Sequence, residues 1–124
     1  MGPGIGQRAP LAAVFVTSGV LHFTTPDTFT AIVPDALPAP EVLVHASGMA
    51  EIAGGLGVLS ATTARWAGWW LILTLVAVFP ANVDMALHPE RHPGLPHALL
   101  WARLPLQAAL IWWVHRVAIR PRRA

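Results

Sequence analysis

Four stretches of the chain are almost free of charge: about Ala9 to Phe23, Glu41 to Ser60, Trp66 to Leu87 and Ala98 to Ile119. Apolar residues run through each without the alternation of a half-buried strand. Each holds roughly 15–22 residues, and a helix needs about 20 to cross the hydrocarbon core of a bilayer. The pattern predicts an all-α chain, an integral membrane four-helix bundle. It is a single transmembrane domain over residues 1–124, with helices over about 9–24, 41–60, 66–87 and 98–119. The second stretch is the least apolar, interrupted by Glu51 and by Gly48, Gly54 and Gly55. The short link from Ala61 to Arg65 makes the second and third helices antiparallel neighbours.

Composition supports lipid as the solvent. Apolar residues make up 55% of the chain, charged residues 11%, and the mean hydropathy is +0.56. Soluble domains carry about 25% charged residues, and so few charges cannot cover a water-facing surface. No cysteine is present, which excludes disulfides, CxxC redox chemistry and thiolate metal sites. Arg8 followed by Ala9 to Phe23 also fits a signal segment. No small-x-small site follows promptly and three apolar stretches remain, so it is expected to stay as a helix.

Charge fixes an orientation. The net charge of +2 rests on arginine, with no lysine. Arg8, Arg65, Arg116, Arg120, Arg122 and Arg123 all fall on one side of a four-crossing bundle. The opposite loops carry Asp27, Asp35 and an Arg91 offset by Glu90. Both termini are therefore expected in the cytoplasm, with the protein multi-pass in the membrane. Trp66, Trp69, Trp70, Trp112 and Trp113 suit the inner interface and Trp101 the outer one. Arginines at segment ends, rather than on one face, do not suggest nucleic acid as a partner. The bilayer is the first partner, and the tail can contact anionic lipid. Thr24 to Pro40, rich in proline with apolar Phe29, Ile32 and Val33, is expected to lie on the outer end as a lid.

Polar groups at membrane depth are costly, and each is a functional candidate. Glu51 lies ten residues after Glu41, roughly 15 Å along the helix. Arg103 and Gln107, four apart on one face of the fourth helix, lie in its outer half. Asn82 and His22 fall in the outer parts of the third and first helices. Glu51 is expected either neutral or ionised and paired with Arg103. Such a pair, with Gln107, either fixes helix register or serves a ligand. Ser47, Glu51 and Gly55 share one face, where Gly48 and Gly54 let a neighbouring helix approach closely. Pro80 frees the carbonyl of Val76 and Pro105 that of Trp101, either to line a cavity or as tolerated kinks.

Asp84 and His88 have helical ligand spacing, with His22, His45 and Glu51 as candidates to complete a metal set. Asp84, however, sits about 27 Å along its helix, in the headgroup region. No metal site and no cofactor are assigned. No nucleophile elbow or nucleotide-binding signature occurs.

These motifs together resemble those of the small DoxX-like membrane proteins. The likeness runs from about Gly19 to Trp113: Gly19-x-x-His22-Phe23, Ile32-Val33-Pro34, Ser47-Gly48-x-x-Glu51-Ile52-x-Gly54-Gly55-Leu56-Gly57, Phe79-Pro80-Ala81-Asn82-Val83-x-Met85-Ala86 and Arg103-Leu104-Pro105-Leu106-Gln107. The resemblance implies a bacterial four-helix membrane bundle with motif positions His22, Glu51, Asn82, Arg103 and Gln107. Relatives in that family are linked to quinone-coupled oxidation of sulfur compounds, to redox stress or, distantly, to membrane-protein assembly.

The expected function is a polar pocket in the outer half of the bundle. It would bind or transform a small hydrophobic molecule, a quinone or lipid-like metabolite, in a redox-linked process. Glu51 and His22 are the candidate catalytic acid–base groups, and Arg103, Gln107, Asn82 and Ser47 the candidate ligand-binding residues. The alternative is a non-catalytic assembly factor or accessory subunit, with a membrane protein or a second copy as partner.

Overall fold

The computed structural model describes residues 5–25, 38–88, 90 and 96–119. The expected lid lies almost wholly outside these residues. The described chain is all-α, with four α-helices and a closing π turn and no strand among the described residues. The helices are α1 (Ile5–Thr24), α2 (Pro40–Gly57), α3 (Ala64–Leu87) and α4 (His97–Val114). The π segment His115–Ile119 continues α4.

Helix α1 starts four residues earlier than the apolar pattern predicts, because Gln7 and Arg8 join its first turns. Pro10 within it removes only the bond to the Gly6 carbonyl, close to an exposed end. Helix α2 has Pro40 in its first turn, where no donor is lost, and stops at Gly57 rather than Ser60.

Side-chain pairings make every neighbouring helix pair antiparallel. Arg8 reaches Val58, while Gly19 lies against Gly48. Gly57 faces Ala67 and Gly54 faces Leu71. Asn82 bonds Gln107, while Gly68 packs on Ala118 and Ile119. The chain thus runs up and down four times, with α1 packed on α2, α2 on α3 and α3 on α4.

The two ends differ. Leu11, Phe15, Val58, Leu71, Val114 and Ile119 form a closed apolar core near the start of α1, the α2–α3 turn and the π segment. The π segment reaches both α1 and α3 and shuts this end. At the other end a small cluster joins Ala86 and Leu100, with Leu104 against it. Between the two lies the cavity.

Arg8 holds the closed end together, which its reading as an interfacial charge did not foresee. Its side chain is buried, 7% exposed. One guanidinium nitrogen, Nη1, donates to the Val58 and Leu59 carbonyls, each at 3.0 Å. Thr63 Oγ1 donates to the Gly57 carbonyl at 2.6 Å. The end of α2 would otherwise leave these acceptors bare, and a cation there also meets the negative end of the helix dipole.

One described helix is long and apolar enough to cross a membrane, over Ala64–Asp84 with mean hydropathy 1.5. This differs from the expectation of four such helices. Arg8, Gln7 and His22 in α1, the glutamates and glycines of α2, and Arg103, Gln107 and the tryptophans of α4 lower the hydropathy of the others.

A candidate ligand cavity in the half-bundle

The glycine faces decide what meets in the middle of the bundle. A Cβ added to Gly19 would lie 2.6 Å from both the Gly48 carbonyl oxygen and Ile52 Cγ1. Only glycine permits so close an approach of α1 and α2 here. That approach brings His22, one turn after Gly19, against Glu51, one turn after Gly48.

The two side chains pair, His22 Nε2 lying 3.1 Å from Glu51 Oε2, at 9% and 12% exposure. His22 Nδ1 donates to the Ser18 carbonyl at 2.7 Å. A carbonyl can only accept, so Nδ1 carries a proton. A hydrogen bond between Nε2 and Oε2 then needs one further proton, held by either partner. The pair is thus a one-proton dyad, neutral overall whichever group holds it. The Ser18 hydroxyl also donates to the Glu51 carboxyl.

The expected Glu51–Arg103 pair does not form. Arg103 instead turns to Asn82, donating from Nε at 3.4 Å and from Nη2 at 3.3 Å to Oδ1. Asn82 Nδ2 donates to Gln107 Oε1, and Gln107 Nε2 donates to the Leu75 carbonyl. Gln107 is 3% exposed. The network ties α4 to α3 beside Pro80. Val76 and Trp101, whose carbonyls the prolines free, are exposed and do not line the cavity.

These two clusters face one cavity of about 610 Å³, lined by all four helices. Ser18, His22, Ser47 and Glu51 lie on the α1–α2 wall. Asn82, Arg103 and Gln107 lie on the α3–α4 wall. Most of the remaining lining is apolar, including Val14, Phe15, Leu73 and Leu110. The structure thus places all six sequence-predicted residues, His22, Ser47, Glu51, Asn82, Arg103 and Gln107, around one space. Ligand pockets commonly enclose about 300–1,000 Å³ with a few polar groups in an apolar wall.

Two participants were missed. Ser18 sets the His22 tautomer through its carbonyl; the i, i+4 spacing to His22 was the available signal. Trp70, assigned to the interface, lines the cavity and donates from Nε1 to the Ala50 carbonyl at 2.9 Å. His45 stacks on Phe23 instead, ring centroids 5.1 Å apart. Asp84 and His88 do meet, at 3.2 Å, but no group of three metal-ligating side chains gathers among the described residues.

No curated protein and no solved structure matches the chain. A family model described as "Domain of unknown function (DUF8561)" matches residues 11–118, which include every helix wall and every polar residue of the cavity. By that match across most of its length, the chain belongs to this family.

Proposed function

We propose that the chain is a DoxX-like, multi-pass protein of the bacterial inner membrane whose half-bundle cavity binds a small hydrophobic molecule with a polar head. The observation that carries this reading is the cavity itself, an apolar space with polar clusters on opposite walls. A tail lies along the apolar lining, and the head meets His22–Glu51 on one side and Arg103–Asn82–Gln107 on the other. A quinone or a lipid-like metabolite has that form. Where the molecule is transformed as well as held, the one-proton dyad is the acid–base group, as a redox-linked step requires.

Membrane residence is supported by the outer surface. Trp66 is 77% exposed, and Met49, Leu56, Val76, Leu99 and Trp112 are exposed on three helices. Exposed apolar side chains of this number and size suit a surface that meets lipid rather than water. Only 17% of the apolar stretch in α3 is buried, unlike the core helix of a soluble protein. The cytoplasmic assignment of both termini rests on Arg8, Arg65 and Arg116 at the closed end and on the arginines that follow in the sequence.

The test is solvent extraction of protein purified from its native membrane, followed by mass spectrometry. One hydrophobic species enriched over bulk lipid is expected from wild type and is lost from Glu51→Gln or Arg103→Gln. Extracts indistinguishable from bulk lipid would remove the basis of this reading.

A second reading is favoured by the Gln107 network, in which the side-chain amide is buried and engaged at both ends. Such a network suits a scaffold that holds helix register in an assembly factor or accessory subunit. Cross-linking in native membranes would then recover a stoichiometric partner.

A further inference from the structure

Among the described residues, the charges around the cavity do not balance. The His22–Glu51 dyad is neutral wherever its proton sits, because the 3.1 Å contact needs that proton. Glu51, the one carboxylate among the described residues that line the cavity, is therefore committed to His22. From α3 the lining offers Thr74 and Asn82, which carry no charge. Arg103 remains as a net positive charge in an apolar, half-buried place.

Its donors are underused. Nε and Nη2 share one amide oxygen, Asn82 Oδ1, at 3.3–3.4 Å, the long end of hydrogen bonding. The described residues give Arg103 no carboxylate within ion-pair distance. A guanidinium carries five N–H donors in a planar fork that matches a carboxylate with two parallel bonds. A half-buried cation in an apolar wall gains from a counter-ion that shares its desolvated surroundings.

We propose that the cavity's ligand is an anionic amphiphile, a long-chain carboxylic acid whose carboxylate pairs with Arg103 while its chain lies along the apolar lining. This rests on the hydrophobic-ligand reading and narrows it, since a quinone head is neutral. Leu106 and Leu110 of α4, on the same wall as Arg103, give the first part of the chain an apolar path. Asn82 holds the guanidinium toward the cavity, and Gln107 in turn holds Asn82.

The test offers purified, detergent-solubilised full-length protein equal concentrations of stearate and methyl stearate, which share a tail and differ in head charge. Adducts are read by native mass spectrometry. The acid is expected to exceed the ester by about tenfold, the scale of a charge-assisted pair. The preference should vanish in Arg103→Gln and persist in Arg103→Lys, which keeps the charge and controls for folding. Equal acid and ester adducts on wild type would overturn the anion claim and leave the hydrophobic cavity standing. The same preference in Arg103→Gln would overturn it as well. No adduct of either compound would count against the hydrophobic-ligand reading itself.

Discussion

His22 Nε2 lies 3.1 Å from Glu51 Oε2 across the α1–α2 interface, and the Ser18 carbonyl holds the other ring nitrogen. The contact joins two helices through one proton, in a wall that also faces the cavity. Glutamine at position 51 can donate an amide N–H to Nε2, so Glu51→Gln should cost less than about 1 kcal/mol of stability. Glu51→Ala leaves the imidazole nitrogen unsatisfied and should cost about 1–3 kcal/mol. Thermal melting of both variants in one detergent checks the order. Equal losses would mean that the hydrogen bond contributes nothing.

Gly19 permits that meeting. In Gly19→Ala the new methyl would press on the Gly48 carbonyl, which is backbone and cannot swing aside. Overpacking of this kind costs about 1–3 kcal/mol. The variant should also move His22 away from Glu51 and so weaken ligand binding. Gly6→Ala, in open space on the same helix, is the control and should melt with wild type.

Arg8 acts at the closed end. Arg8→Ala strips the Val58 and Leu59 carbonyls of a charged donor and should cost about 1.5–3 kcal/mol, with little effect on ligand affinity. Arg8→Lys should recover part of the loss. A melting midpoint unchanged in Arg8→Ala would contradict the capping role.

Much of this arrangement was legible in the sequence, and its limits are physical. Long apolar stretches without alternation gave four helices, and the cost of polar groups in lipid singled out His22, Glu51, Asn82, Arg103 and Gln107. Who pairs with whom was not legible. Glu51 and Arg103 have opposite charges and similar depth, but pairing depends on how each helix is rotated. The Gly19–Gly48 approach turns Glu51 toward α1, and Asn82 draws Arg103 toward α3. Arg8 looked like a flanking charge because nothing local reveals that the end of α2 lies beside it. The π segment that closes the core likewise has no signature in its residues.

The cysteine-free chain makes orientation directly measurable. Thr25→Cys, at the end of α1, should react with a membrane-impermeant maleimide in intact cells. Thr63→Cys, in the α2–α3 turn, should react only after permeabilisation. The reverse pattern would place the arginine-rich end outside, against the charge rule.

The central claim is that the cavity is occupied by a hydrophobic molecule, and filling the cavity tests it most directly. Ala77 lines the space but is exposed, so Ala77→Phe adds bulk there without crowding the closed core. Native mass spectrometry of wild type and this variant, each purified from its own membrane, reads the occupant. The account predicts a defined adduct on wild type and its loss from Ala77→Phe at an unchanged melting midpoint. An adduct retained in full by the filled variant, or absent from wild type, would contradict it.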